Sequence, residues 1–275
     1  MNISLASPVL RNYQRIQRVL TRLDAAVGPC ALASPGSAVP RGNLIVFPGS
    51  FNPPTLAHLA LLRQARCFAR HSDAGDWQIY AALSRQIVDK EAVERMTLLD
   101  RVYLLERVLK CRGSRAGILL LNRGLYVEQA QAIRASFPSV QRLSFLLGFD
   151  KIVQILDPRY YRDREAALRQ LFALAHLLVA PRGTDGAAEL QSLLEQPENR
   201  EFARFIHPLP LEARYRDISS THARQQPTSD KVPEEVRDFL VRTRPYAPPS
   251  ILEGGTVGDP YAERTRMLQQ LLTQS

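Results

Sequence analysis

At 275 residues the chain is long enough for one large α/β domain, or two small ones, to bury a substantial core without metal or disulfide staples. Cys30, Cys67 and Cys111 are an odd number, far apart and outside any CxxC pair, which argues against a disulfide framework or structural zinc and for a reducing cytoplasmic, or nuclear, home. The formal charge of +9 is carried by arginine, with Lys90, Lys110, Lys151 and Lys231 the only lysines among 36 basic residues; the charges are dispersed, so nucleic acid is not an expected partner, and no apolar run approaches the roughly 18 residues of a membrane span.

The first 23 residues hold Arg11, Arg15, Arg18 and Arg22 and no acid, a composition shared with transit peptides. Val19, Leu20 and Leu23 give this segment an apolar side, so it is read as a surface helix over residues 8–24, followed by a Pro/Gly/Ser-rich linker over 28–43. Short apolar runs then alternate with amphipathic ones. Strands are expected at 44–48, 77–83, 116–121, 143–149, 175–180 and 203–207, each nearly continuously apolar as a strand buried on both faces should be. Helices are expected at 55–70, 91–111, 125–136, 163–174 and 186–195, a loop over 248–260, and a terminal helix over 261–273. This alternation predicts an α/β fold, a doubly wound parallel sheet of about six strands with helices on both faces, whose ligand lies beyond the carboxyl ends of the strands.

One such end is PGSFNPPTLAH, residues 48–58. Glycine after the first strand permits close backbone approach to a ligand, and the following helix offers unpaired N–H groups, an anion seat. Thr55 and His58, three apart, share a face of that first turn and can reach one anion; a capped helix start is the alternative for the segment alone. Far downstream, ISSTHAR (218–224) puts Ser219, Ser220 and Thr221 at another helix start, with Arg224 on the same face and able to clamp phosphate bidentately. LLGFD (146–150) closes a strand on Gly148 and Asp150. Trp77, the sole tryptophan, falls within a strand and reads as core.

GxFxPxTxxH after an apolar strand resembles the first signature of the nucleotidyltransferase superfamily, (T/H)xGH, with Ala57 where glycine is usual and Thr55 in the first histidine's place. ISSTHAR matches the ISSTxxR signature of the same family, and KVPEEVRDFLVRTRPY (231–246) resembles its closing helix. The likeness is greatest to nicotinamide and nicotinate mononucleotide adenylyltransferases, and GFDKIVQILDPRYY (148–161), through Asp157, Pro158 and Tyr161, resembles a fungal branch of their homologues. It covers residues 44–246, leaving 1–43 and 247–275 as flanking segments.

The resemblance implies transfer of AMP from ATP, bound with Mg²⁺, to a mononucleotide, with His58 and Arg224 catalytic and no protein-built metal site. It assigns ATP contacts to Gly49, Ser50, Phe51, Thr55, His58, Gly148, Asp150, Ser219, Ser220, Thr221 and Arg224, and acceptor contacts to Lys90, Arg95 and Tyr126. Tyr126 takes the place of the tryptophan on which known members stack the pyridine ring. A cytidylyltransferase with another phosphate acceptor, and an ATP-binding or ATP-hydrolysing regulatory homologue, remain open, as does a homo-oligomer.

Overall fold

The computed structural model describes residues 7–24, 26–72, 75–85, 95–181, 186–251 and 257–274. Its centre is a seven-stranded sheet of β1 (Ala31–Ala33), β2 (Gly42–Pro48), β3 (Trp77–Ser84), β4 (Gly117–Leu121), β5 (Val140–Gly148), β6 (His176–Ala180) and β7 (Ile206–Pro208), in the spatial order β1-β4-β3-β2-β5-β6-β7. β2 to β7 run parallel, and β1 is antiparallel to β4. Because β3 pairs with one edge of β2 and β5 with the other, chain direction through the sheet reverses at β2, and a crevice opens beyond the carboxyl ends of β2 and β5.

The apolar runs follow from this burial. Leu44 and Val46 of β2 face one layer, with Ile133 of α4 (Tyr126–Ser136), Ile152 of α5 (Phe149–Leu156), Leu168 of α6 (Arg164–Leu174) and Leu190 of α7 (Gly186–Glu195). Ile45 and Phe47 face the other, with Tyr13 and Ile16 of α1 (Ser7–Leu20), Leu62 and Ala65 of α2 (Leu56–Arg70) and Val102 and Leu105 of α3 (Leu98–Cys111). Outside α3 lies a third cluster, where its Leu104 and Val108 meet Ala223 of α9 (Ser220–Gln225), Val236 and Leu240 of α10 (Glu234–Thr243) and Tyr261 of α11 (Pro260–Thr273).

The flanking segments share this core. Tyr13 stacks on Tyr103 with ring centroids 4.4 Å apart. Asp100 of α3, fully buried, accepts from the Tyr13 hydroxyl (2.7 Å), the Tyr261 hydroxyl (2.7 Å) and Arg264 Nη1 and Nη2 (2.9 and 3.0 Å), so one carboxylate holds α1 and α11 on α3.

Several expectations change. The linker contains β1, a three-residue edge strand whose only cause is its ladder to β4 (Ala31↔Leu121 to Ala33↔Leu119). Residues 203–205 form a 3₁₀ turn, and the strand starts at Ile206. The strand expected to reach 149 stops at Gly148, and α5 begins at Phe149. The helix expected from 91 starts, among the described residues, at Leu98, where the Thr97 side chain caps it by accepting from the Asp100 N–H. The loop at 248–260 carries a short hairpin of β8 (Ser250–Ile251) and β9 (Val257–Gly258). Trp77 lies at the start of β3 and is only partly buried. Among the described residues no helix is long and apolar enough to cross a membrane.

Candidate active site

The loop between β2 and α2 occupies the crevice, and α2 begins with a two-way cap. The Thr55 hydroxyl accepts from the His58 N–H at 3.5 Å while His58 Nδ1 accepts from the Thr55 N–H at 2.9 Å, a capping box with histidine where Glu or Gln is usual. Nδ1 being an acceptor, the proton of the neutral ring sits on Nε2. The imidazole leans on Phe51 (4.9 Å between centroids) and Phe47 (5.8 Å), and burial holds its pKa down at about 4. At neutral pH His58 is therefore an uncharged N–H donor.

The rest of the loop is fixed from outside. Arg101 of α3 donates from Nη1 to the Ser50 carbonyl at 2.9 Å, and the Tyr246 hydroxyl donates to Asn52 Oδ1 at 2.7 Å. From the ISSTHAR segment, Arg224 Nη1 donates to the Asn52 carbonyl (3.1 Å) and the Ser220 hydroxyl to the Pro53 carbonyl (2.9 Å). Ser219 caps α9 by accepting from the His222 N–H (3.2 Å), and the Thr221 hydroxyl oxygen accepts from Arg224 Nη2 (3.2 Å). The two motifs, distant in sequence, are thus hydrogen-bonded to each other.

A cavity of about 450 Å³ adjoins the loop. Pro48, Gly49 and Ser50 form one wall; Tyr126 and Val127 at the start of α4, Ile155 of α5, Tyr160, Tyr161 and Leu168 form the apolar remainder. Tyr126 is braced edge-on by Phe145 at 5.4 Å, and the Tyr161 hydroxyl donates to the Ile155 carbonyl at 2.7 Å. Burial raises the Tyr161 pKa, keeping this phenol neutral. Arg101 and Lys151 bring positive charge to the walls. Arg101 is 5% exposed, with its Nε lacking a hydrogen-bond partner, and burial lowers its pKa to about 10.

Of the residues expected at the site, Gly49, Ser50 and Tyr126 line this cavity, and Ser220, Thr221 and Arg224 gather on the loop beside His58. A Cβ on Gly49 would stand 3.1 Å from the Phe51 ring, so the turn is closely packed there. Gly148 is the N-cap of α5, with open space where a Cβ would be, and Asp150 is exposed in that helix's first turn. Three expectations are corrected. Phe51 has its ring fully buried beneath His58, which leaves only its backbone for a ligand. Thr55 is also fully buried, its hydroxyl engaged in the cap rather than turned to an anion. Arg95 pairs with Asp259 and the Ala247 carbonyl, which draws it toward the carboxyl-terminal segment and away from the cavity. Lys90 lies outside the described residues.

Sequence reasoning passed over Arg101, Lys151 and the loop-anchoring role of Tyr246. The usable signal for Arg101 was its setting in LLDRVYLL, where a charged pair interrupts an otherwise apolar helix face.

The profile of the cytidylyltransferase-like family matches residues 46–226, the span from β2 through the ISSTHAR helix. A Schizosaccharomyces pombe protein named as a candidate nicotinamide mononucleotide adenylyltransferase is 25% identical over 146 residues, 52% of this chain and 55% of its own length, so the chain spans only about half of that relative. A Gloeobacter violaceus protein named as a probable nicotinate-nucleotide adenylyltransferase is 27% identical over 218 residues, 76% of this chain and 98% of its own. With both signature segments joined at the switch point of a parallel sheet and the family profile spanning them, the chain belongs to the cytidylyltransferase-like family of nucleotidyltransferases.

Proposed function

We propose that the protein transfers AMP from ATP to nicotinamide mononucleotide or its nicotinate counterpart, releasing pyrophosphate. The observation that carries this reading is the aromatic, largely apolar cavity directly beside the loop that holds His58 and meets Arg224. A planar ring fits between aromatic walls, and its phosphate would reach the charged end.

The acceptor phosphate oxygen attacks the α-phosphorus of ATP; that P–O bond forms as the bond to the β-phosphate bridging oxygen breaks, and pyrophosphate leaves in line. The chain's task is positioning and charge neutralisation. His58 donates its Nε2 proton in a hydrogen bond to phosphate oxygens as charge develops. Arg224, braced by Asn52 and Thr221, and the first turn of α9 hold the departing phosphates. Lys151 and Arg101 face the acceptor phosphate from the cavity walls, and Tyr126 and Tyr161 hold its ring.

Among the described residues no group of three His, Cys, Asp or Glu side chains could hold a metal on its own. Mg²⁺ bound with the triphosphate would neutralise oxygen charge there. The deciding experiment measures pyrophosphate and dinucleotide from ATP or CTP with a panel of phosphate acceptors. ATP with a pyridine mononucleotide should be the productive pair. Efficient turnover of CTP with a phosphoalcohol instead, or ATP binding without transfer, refutes it.

A further inference from the structure

At the opposite end of the sheet, the amino-terminal ends of β3 and β4 border a second cavity, of about 530 Å³. Arg66 and Arg70, one turn apart on α2, and Arg115, just before β4, stand around it. Asp76 is the one carboxylate lining it among the described residues. The guanidinium charges feel one another: burial, then Arg115 and then Arg70 lower the pKa of Arg66.

Trp77 borders the cavity at the start of β3, with its indole N–H enclosed by protein, and two neighbouring side chains supply the donors. Ser37 Oγ already accepts from the Ile118 N–H at 2.9 Å, so its own proton remains to be given. Gln78 Oε1 accepts from the Arg41 N–H at 2.8 Å, leaving its amide N–H groups. The wall behind is firm. The Tyr80 ring lies where a Cβ on Gly117 would come within 2.5 Å of it, and its hydroxyl is tied to the Ala38 carbonyl at 3.0 Å.

A cavity with three guanidinium groups against one carboxylate, and with further donors on Ser37 and Gln78, suits an anion with many acceptor oxygens. Its volume lies within the range of about 300–1,000 Å³ usual for small-ligand sites. We infer that this cavity binds an oligophosphate anion, carried by a nucleotide or free, at a site separate from the transfer centre. The inference does not depend on the identity of the acceptor proposed above.

Trp77 is the only tryptophan, so tryptophan emission reports on this cavity. The full chain, free of Mg²⁺, is titrated with inorganic triphosphate, ATP and adenosine. Inorganic triphosphate should give a saturable change that weakens as salt rises, and adenosine none. ATP response in addition assigns the nucleotide as a source; response to inorganic triphosphate alone assigns the free anion, and both support the site. Arg70 and Arg115 are exposed, so Arg70→Gln/Arg115→Gln spares the core and should lower affinity about tenfold or more. Arg224→Ala should leave the titration unchanged. No saturable response to either phosphate compound, equal response to adenosine, unaltered affinity in the double variant, or loss of the signal in Arg224→Ala would each overturn the inference.

Discussion

Arg224 and Asn52, 172 positions apart, meet through a 3.1 Å hydrogen bond from a guanidinium to a main-chain carbonyl. One arginine thus shapes the loop that precedes His58, and in the proposed reaction it would also present charge to a bound phosphate. Arg224→Ala should raise KM for ATP and lower kcat together, because the phosphates it meets are charged before and during reaction. Arg224→Lys should recover only part of either, lacking the forked geometry. Steady-state kinetics with varied ATP decide this, and full recovery by lysine argues against two-point contact.

The observed cap and the proposed donor role of His58 can be separated by substitution. His58→Ala removes the cap and the Nε2 donor, so stability should fall by about 0.5–2 kcal/mol and kcat by about 10²- to 10³-fold. His58→Gln can still accept from the Thr55 N–H as a capping-box residue does, so its melting temperature should stay near wild type while turnover drops. A kcat within about threefold of wild type in both variants would reduce His58 to a helix cap.

The depressed pKa of His58 has a consequence for stability. Its value falls from 6.5 to about 4 in the folded chain, so between these pH values the unfolded chain binds a proton that the folded chain refuses. Stability contributed by the neutral ring is therefore full above 6.5, falls as pH drops through the window, and levels off below 4, a loss on the order of 3 kcal/mol. Burial also lowers the pKa of His176 and His207, but both are present in wild type and His58→Gln alike. Urea unfolding across this window should show a shallower decline for His58→Gln; parallel declines would contradict the assigned shift.

Tyr126 tests the acceptor. Tyr126→Ala should raise KM for the pyridine mononucleotide about tenfold, the scale of losing one aromatic contact, while KM for ATP moves little. Phe should restore most of the loss, since the flat face is what is needed. Equal effects on both substrates would place the ring elsewhere.

Asp100 tests the junction of the two flanking helices. Asp100→Ala leaves Arg264 buried without its counter-charge and should cost about 3–5 kcal/mol in denaturant unfolding. Asp100→Leu/Arg264→Met should be less destabilised than either single variant, because no buried charge remains. Additive losses would show that the two side chains act independently.

How much of this was readable depends on how far each residue's partner lies. β2, β3, β4 and β6 were legible because burial on both faces leaves a continuous apolar run, and the two helix starts that carry His58 and Arg224 because their motifs are compact. β1 was not, since Ala31–Ala33 has no pattern of its own and exists through β4. Arg95 sits in a charged segment that gives no hint of Asp259, 164 positions later. Thr55 and Phe51 belong to the right motif, yet sequence could not say which side chains the turn sends inward.

The Arg264–Tyr13 hydrogen bond spans 251 positions, and both residues converge on Asp100. During synthesis the carboxylate of Asp100 therefore waits, without its cation, until Arg264 is made 164 positions later. Arg101, its neighbour on α3, is the residue that supports Ser50 in the loop before His58. A nascent chain can lay down the sheet early, but the helix backing that loop gains its buried cation only when α11 arrives, so the loop before His58 acquires its full support later than the sheet it extends from.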